Sequence, residues 1–208
     1  MTSDGRITAG IALLIPAAGL SRRMRGGDKL LELVDGVPQL RRICAAARTL
    51  PGPVVVTVPA ADHPRAQALA DVGAILVPVP DRAEGMAASL RRGIAALPPG
   101  TPAAMIVPGD MPDLAAADLA AIAQAFDPDA PTLVQATAAD GTPGHPVLFP
   151  ADCFDALATV AGDSGARDVL RAHRARLRHV ALHDRRALTD LDTPEAWAAW
   201  RAERPGRT

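Results

Sequence analysis

The stretch from Ile11 to Leu31 combines a short apolar run with a loop of small and cationic residues. Its first five residues, Ile11 to Ile15, have the composition of a buried strand. Small residues in a tight loop let backbone N–H groups approach a ligand and form a concave site for anions. The stretch therefore predicts a loop that binds more than one phosphate. The residues that suggest this are Ala17, Ala18, Gly19, Ser21, Arg22, Arg23, Arg25 and Lys29.

Lys29 is the only lysine in the chain, since every other basic side chain is arginine. A lone lysine in such a composition indicates a position where a compact ammonium is needed and a planar guanidinium is not equivalent. The alternative is chance placement on a solvated loop. We favour direct contact between Lys29 and a phosphate group.

Length and charge exclude several classes of protein. The 208 residues carry a net charge of -1, which predicts neither a nucleic acid nor a membrane surface as a partner. We expect a flexible tail over residues 1–10 and a single domain over residues 11–204. We expect the N-terminal residues to form neither a signal peptide nor a membrane span, and Cys44 and Cys153 form no metal or redox motif. These features favour buried thiols and a cytoplasmic protein.

Apolar runs and helical patterns alternate along the first two thirds of the chain, which is typical of a parallel sheet covered by helices. Turn signals at Asp140-Gly141 and Pro143-Gly144 then predict an antiparallel strand after them. We therefore predict an α/β fold: a three-layer, Rossmann-like, mostly parallel sheet with helices on both faces and an antiparallel strand or hairpin in the C-terminal half. The predicted strands are Ile11–Ile15, Val54–Val58, Ala74–Val77, Ala103–Val107, Thr132–Ala136, Pro146–Phe149 and Leu177–Leu182, and the predicted helices are Gln39–Leu50, His63–Val72, Met86–Leu97, Ala115–Phe126, Asp152–Val160, Gly165–Arg174 and one that begins near Thr193.

Asp110 lies at the carboxyl end of a predicted buried strand, within the segment Val107 to Leu114. Ligands of open α/β sheets bind at this edge, and a carboxylate there suits Mg²⁺, which prefers oxygen ligands. The alternative for Asp110 is a cap or turn residue, a role that Asp113 fits better because it immediately precedes a helix. We interpret Asp110 as a metal ligand.

Asp190 and Asp192 are two residues apart, so on an extended segment both side chains point the same way. One metal ion needs few protein carboxylates, and we favour Asp192 as the second ligand. The alternative is that Asp192 or Thr193 caps the last helix, which has Pro194 in its first turn.

Two further groups of residues suggest ligand contacts. Gly85 and Ser89 lie at the start of a helix, where glycine allows close approach and free N–H groups attract anions, although Ser89 also fits a plain surface position. In the C-terminal half, Gly162 and Arg167 lie in a glycine-rich segment where a second substrate could bind. His145 fits either an anion contact or a structural turn.

The ordered set AAGLSRRM, GMAASL, PGDMP, GHPVLF, GDSGAR and DLDTPE resembles the molybdenum cofactor cytidylyltransferases, within the molybdopterin nucleotidyltransferases. The resemblance runs from about Ile11 to Trp197, and Ala18 looks like the cytidylyl branch. In the family pattern a glycine commonly follows S-x-R-M directly, whereas here Arg25 precedes Gly26.

The resemblance implies transfer of CMP from CTP to the terminal phosphate of molybdopterin, with release of pyrophosphate and with Mg²⁺ as cofactor. It implies that Arg23 and Lys29 hold the triphosphate, that Asp110 and Asp192 bind the metal, and that residues of the opening loop shape the nucleotide pocket. His145, Gly162 and Arg167 would face molybdopterin, and a molybdoenzyme or its chaperone would be a transient partner. The alternatives are GTP as donor, a sugar or polyol phosphate as acceptor, or a chaperone that binds nucleotide or cofactor without catalysis.

Overall fold

The computed structural model describes residues 10–162 and 165–204. Apart from Gly10, the tail predicted for residues 1–10 lies outside the described residues. Asp163 and Ser164, in the middle of the GDSGAR motif, lie outside them as well.

One seven-stranded sheet organises the described part of the chain, with the strand order β5-β4-β1-β6-β8-β7-β9. Strands β2 and β3 form a separate antiparallel hairpin. The strands in chain order are β1 (Ala12–Pro16), β2 (Leu33–Val34), β3 (Val37–Pro38), β4 (Val54–Val58), β5 (Ile75–Pro78), β6 (Ala103–Ile106), β7 (Leu133–Thr137), β8 (Pro143–Pro150) and β9 (Leu177–Ala181).

Strand β8 runs in the opposite direction to the other strands of the seven-stranded sheet. It is antiparallel to β6, with Phe149 opposite Ala104, and antiparallel to β7, with Leu148 opposite Val134. The pairs β1–β4, β1–β6, β4–β5 and β7–β9 are parallel. The prediction of a mostly parallel sheet with an antiparallel strand in the C-terminal half is therefore confirmed.

Helices cover both faces of the sheet, as β1 illustrates. Leu13 and Ile15 belong to a core with Leu40 and Ile43 on one face, whereas Leu14 belongs to a second core on the other face. This alternation follows from the two-residue side-chain period of a strand buried on both sides. The helices are α1 (Gln39–Ala47), α2 (Pro64–Gln67), α3 (Met86–Ala95), α4 (Ala116–Gln124), α5 (Phe154–Ala158), α6 (Arg167–Ala172) and α7 (Pro194–Ala202).

One predicted helix is too long, and one element was not predicted. The helix expected over residues 63–72 ends at Gln67, because the following residues form single turns such as Leu69 N–H to the Ala66 carbonyl. The hairpin of β2 and β3 was not predicted. Asp113 lies in a turn and does not cap α4; it accepts from Trp200 of α7 and from Arg204 just beyond it, while Asp118 accepts from the Ala115 N–H at 2.9 Å at the start of α4.

The parallel strands bring several chain segments to one edge of the sheet. The segments after β1, β4 and β6 all leave at the carboxyl ends of adjacent strands, which is where open α/β sheets bind their ligands. No helix among the described residues has the length and apolar character needed to cross a membrane.

Candidate active site

The loop after β1 presents unused backbone donors. The Ala17 N–H donates to the Thr57 carbonyl of β4 at 2.9 Å and so fixes the start of the loop. Beyond it, the N–H groups of residues 18–22 donate no hydrogen bond within residues 10–162 and 165–204. A short 3₁₀ helix, Arg22–Met24, then adds two arginine side chains beside these donors. Free N–H groups next to fixed positive charge are the features expected of an anion site, and binding of phosphate by this loop stays a prediction.

Two residues of this loop have left-handed backbone conformations. Ser21 has φ of 46° and Arg25 has φ of 50°, on either side of the 3₁₀ helix. Arg25 stands where the family pattern commonly has glycine, which enters this conformation without steric cost. The Arg25 guanidinium pairs with the carboxylate of Glu195 at the start of α7, a contact that ties the loop to the C-terminal helix.

Lys29 joins the two predicted metal ligands. Its Nζ donates to a carboxylate oxygen of Asp110 and lies 2.5 Å from Oδ1 of Asp192. The three side chains are between 14% and 21% exposed, whereas Arg23, which also contacts Asp192, is 71% exposed. Burial, the largest influence, lowers the pKa of Lys29, but the two carboxylates together outweigh it and raise the pKa above its ordinary value. The ammonium therefore stays charged.

Backbone and capping contacts bring Asp192 to this position from 163 residues beyond Lys29. The Leu191 N–H donates to the Asp110 carbonyl at 3.1 Å, which joins the two acidic segments. Thr193 caps α7 by accepting from the Ala196 N–H at 3.2 Å, so the Asp192 carboxylate is not used as the cap. Behind them a small apolar cluster fixes the helix against the loop, and it consists of Met24, Val34, Leu191, Trp197 and Trp200.

A cavity of about 370 Å³ opens beside the loop and reaches the start of α3. Gly85 precedes that helix with φ of 86°, and no side chain caps its first turn. Its free N–H groups and the positive end of the helix dipole favour an anionic group there. Ser89 is 3% exposed and also borders the cavity. The other predicted nucleotide residues that line it are Gly19, Ser21 and Arg22.

Ala17 and Ala18 lie behind the cavity wall rather than on its surface. Both are fully buried, and Ala18 packs against Val79 and Ala88. Ala18 therefore sets how closely the loop approaches α3, and its contribution to a ligand site is one of spacing.

A second cavity of about 620 Å³ lies on the side of β8. His145 and Arg167 line it, and Gly162 is exposed and does not. Much of the wall is apolar, and the side chains responsible are Met86, Leu90, Ile106, Val147, Phe149 and Leu170. Both cavities share one stretch of wall, which contains Arg23, Lys29, Asp110 and Asp192.

His145 lines this second cavity and is an exposed residue near the start of β8. Its backbone N–H donates to the Ala187 carbonyl at 2.9 Å. Desolvation, the largest influence, lowers the pKa of His145, and the charges of Asp110 and Asp190 only partly oppose it. The imidazole is therefore neutral near pH 7 and offers one donor and one acceptor to a ligand.

Sequence reasoning missed three residues at this site. Arg65, at the start of α2, contacts the loop after β1 directly. Leu20 and Met86 are 45% and 51% exposed and line the first cavity. The sequence carries no local signal for Arg65, whose position follows from the fold: it comes after β4, and the carboxyl end of β4 lies beside that of β1.

The donor set at the shared wall fits a hard divalent cation. Two carboxylate groups meet there beside Lys29 and Arg23, and Mg²⁺ is commonly held by one or two carboxylates while waters and substrate phosphates complete its shell. Within the described ranges no group of three or more histidine, cysteine or acidic side chains gathers as a metal centre. Cys44 and Cys153 are free and buried elsewhere, and burial raises their pKa to about 12 and about 11.

Comparison with solved structures shows the same fold. Rv0371c from Mycobacterium tuberculosis H37Rv is 27% identical with a TM-score of 0.75, over 93% of this chain and 98% of that chain. A manganese complex of Rv0371c is 26% identical with a TM-score of 0.72, over 92% and 97%. A nucleotidyl transferase from Methanothermobacter thermautotrophicus is 22% identical with a TM-score of 0.73, over 93% and 96%.

A comparison with curated proteins gave no match. A family profile does match: the MobA-like NTP transferase domain, over residues 13–179. This range contains the loop after β1, Lys29, Asp110 and nearly all of the seven-stranded sheet, and it ends before Asp192. The chain belongs to the family of MobA-like NTP transferase domains.

Proposed function

We propose that this protein transfers CMP from CTP to the terminal phosphate of molybdopterin, with release of pyrophosphate and with Mg²⁺ as its cofactor. One observation supports the proposal above the others. The two cavities meet at the wall that carries Lys29, Asp110 and Asp192. A transferase needs the donor and acceptor phosphates to meet beside groups that hold them and neutralise their charge, and the cations and the metal-binding carboxylates of this wall would do both.

The smaller cavity suits the nucleotide. The free N–H groups of residues 19–22 and the uncapped turn after Gly85 belong to the same cavity wall as the loop arginines. Arg23 and Lys29 would hold the triphosphate and oppose the charge that develops on the leaving pyrophosphate. Ala17, Ala18, Gly19, Ser21, Arg22, Gly85 and Ser89 would shape the pocket. The small Ala18 packed against α3 is the residue on which the choice of CTP over GTP depends.

The second cavity suits an acceptor that has a phosphate at one end and a flat heteroaromatic ring system at the other. Its apolar side chains would pack against such a ring, and Gln135, His145 and Arg167 would provide polar contacts. We favour molybdopterin over a polyol phosphate on this ground. Gly162, beside the same segment, would contribute backbone flexibility. A molybdoenzyme or its chaperone would receive the product from this side.

Nucleotidyl transfer requires little covalent chemistry from the protein itself. An acceptor phosphate oxygen attacks the α-phosphate in line with the leaving pyrophosphate, so catalysis consists of alignment and neutralisation of charge. Asp110 and Asp192 would hold Mg²⁺, which when bound would supply a Lewis acid to the phosphate oxygens. Lys29 would then turn from these carboxylates toward the triphosphate. The side chain of Arg23 pairs with Asp192 but is exposed, so it would move toward the nucleotide when the nucleotide binds. The manganese complex of Rv0371c is consistent with a divalent ion in this fold.

The test compares nucleotides and acceptors in one assay. The protein is incubated with Mg²⁺, molybdopterin and each of CTP, GTP, ATP and UTP, and pyrophosphate release and the product mass are measured. We expect release to be fastest with CTP and to disappear in Asp110→Asn. Arg176→Lys is the matched control, because Arg176 lines neither cavity and forms its ion pair with Asp152. Faster turnover with GTP or with a polyol phosphate would replace the proposed substrates, and nucleotide binding without pyrophosphate release would favour a chaperone.

A further inference from the structure

We infer that Arg65 is a positioning residue: it holds the loop after β1 in the conformation that exposes its N–H groups to a polyphosphate. The inference rests on the triphosphate part of the proposed function and is independent of the base and the acceptor. Arg65 lies at the start of α2, outside every motif that the sequence singled out.

The contacts of Arg65 use all five N–H donors of its guanidinium. Nη1 donates to the carbonyls of Ala17 at 2.6 Å and Gly19 at 2.7 Å. Nη2 donates to Oγ of Ser21 and to Oδ1 of Asp28, both at 2.8 Å, and Nε donates to Oδ2 of Asp28 at 2.7 Å. One side chain thus holds four separate points of the loop.

These contacts determine which way the loop peptides face. Because a trans peptide is planar, its N–H points opposite to its carbonyl. With the carbonyls of Ala17 and Gly19 turned toward Arg65, the N–H groups of Ala18 and Leu20 point away from it. Neither N–H donates to another described residue. Leu20 lines the cavity, so Arg65 orients a donor that a phosphate there would use, while the buried Ala18 peptide is fixed behind it.

The pairing with Asp28 extends the effect to Lys29. The Asp28 carboxylate accepts two bonds from Arg65 and a third from the Leu30 N–H at 3.0 Å. Lys29 lies between these anchored residues in the sequence. Its backbone is consequently fixed while its ammonium reaches Asp110 and Asp192.

Arg65 acts through the loop and does not bind the ligand itself. Its side chain is only 3% exposed and has no N–H left to donate. A surface arginine that neutralises phosphate charge, such as Arg23, is 71% exposed. Lysine cannot replace Arg65, since one ammonium has three donors on a single nitrogen and cannot span both carbonyls and the carboxylate.

The experiment measures binding of magnesium tripolyphosphate, which has no base and needs no acceptor, by calorimetry. In Arg65→Lys we expect the affinity to fall roughly ten-fold, by the same factor for tripolyphosphate, CTP and GTP, because the donors are misplaced and not removed. The control is Arg176→Lys, since Arg176 also makes several contacts, to Asp152, Cys153 and Pro131, but lines neither cavity. The control should lose comparable thermal stability and retain wild-type affinity.

A second variant keeps the test valid if Arg65→Lys does not fold. The double variant Arg65→Gln/Asp28→Asn removes both charges together, so the net charge of the loop is unchanged and no buried charge is left unpaired. We expect it to lose affinity by about the same factor. Affinity within two-fold of wild type in a folded variant, or an equal loss in Arg176→Lys, would overturn the inference.

The outcomes also separate this inference from the proposed function. If wild type binds tripolyphosphate and Arg65→Lys does not, while no CMP transfer to molybdopterin occurs, the inference holds and the proposed substrates are wrong. If wild type binds no tripolyphosphate, the loop is not a phosphate site and the role of Arg65 is refuted with it.

Discussion

The ammonium of Lys29 lies between the carboxylates of Asp110 and Asp192, within hydrogen-bonding distance of both. The position that two carboxylates would offer to a divalent cation is thus taken by the one lysine of the chain. Lys29 and a metal ion would compete for the same two carboxylates when no nucleotide is bound. Lys29 would therefore favour nucleotidyl transfer but oppose metal binding in the absence of nucleotide. A variant of Lys29 can separate these two effects.

We predict that Lys29→Met lowers the rate of nucleotidyl transfer by about 10²- to 10³-fold, as expected when a group that stabilises transition-state charge is removed. The same variant should bind Mn²⁺ several-fold more tightly without nucleotide, because an ammonium no longer neutralises the carboxylates. Free Mn²⁺ is measured by electron paramagnetic resonance during a titration.

Arg25→Met serves as the control for this prediction. Arg25 is a cation of the same loop, but it pairs with Glu195 and contacts neither Asp110 nor Asp192. Its Mn²⁺ affinity should remain at the wild-type value. Unchanged or weaker Mn²⁺ binding in Lys29→Met would show that the carboxylates and the metal do not meet where Lys29 now lies.

The choice between Asp190 and Asp192 gives a second prediction. Asp192 contacts Lys29 and Arg23, whereas Asp190 is exposed and lines the second cavity, where we propose that the acceptor binds. We expect Asp192→Asn to weaken Mn²⁺ binding at least ten-fold, as loss of one of few protein ligands does. Asp190→Asn should keep the Mn²⁺ affinity and alter only KM for the acceptor. Equal losses of Mn²⁺ affinity in the two variants would make both carboxylates ligands.

The strands of the fold were predictable because burial dictates their composition. Val54–Val58 is a run of β-branched and apolar residues, and β4 has these bounds. The β2–β3 hairpin was missed although Asp35 and Gly36, with φ of 54° and 74°, form the type of two-residue turn that Asp-Gly predicts. Its strands have only two residues each, too few to show an alternating pattern.

Residues of the candidate site could be predicted where their type and their position near a strand end or a helix start suggested a role. A residue whose role depends on a contact that is distant in sequence could not. Lys29, Asp110 and Asp192 each stood out by residue type and position, and the structure brings them together. Arg65 did not stand out, because an arginine near the start of a short helix has no local pattern of its own. Its role follows from the adjacency of β4 and β1, which only the folded sheet reveals.

His63 makes the stability of the loop region sensitive to pH. Its Nδ1 accepts from the Arg65 N–H at 3.2 Å and so caps α2, which requires a neutral ring. Burial, and after it the charge of Arg65, lowers the pKa of His63 below 6.5. The unfolded chain therefore binds more protons, and the free energy of unfolding should fall as the pH drops below about 6.5 and level off below the folded-state pKa.

The measurement is urea denaturation between pH 5 and pH 8 for wild type and His63→Asn. Asparagine is a good helix cap and does not titrate, so the variant should have a shallower dependence, with a difference of up to about 1 kcal/mol at the acid end. His179→Asn is the control, because His179 is exposed on the edge strand β9. Parallel curves for wild type and His63→Asn would exclude His63 as the source of the pH dependence.

Gly144 lets the backbone of β8 pack directly against the backbone at Ala187, in the wall of the second cavity. A Cβ built on Gly144 would lie 2.0 Å from the carbonyl oxygen of Ala187, the same carbonyl that accepts from the His145 N–H. Backbone cannot yield as a side-chain tip can, so Gly144→Ala should lower the free energy of unfolding by about 3 kcal/mol. Gly141→Ala, where a Cβ meets open space but φ is 86°, should cost only about 1 kcal/mol through backbone strain. Thermal unfolding of the two variants tests this difference, and equal losses would show that the approach of β8 to Ala187 is looser than the distance indicates.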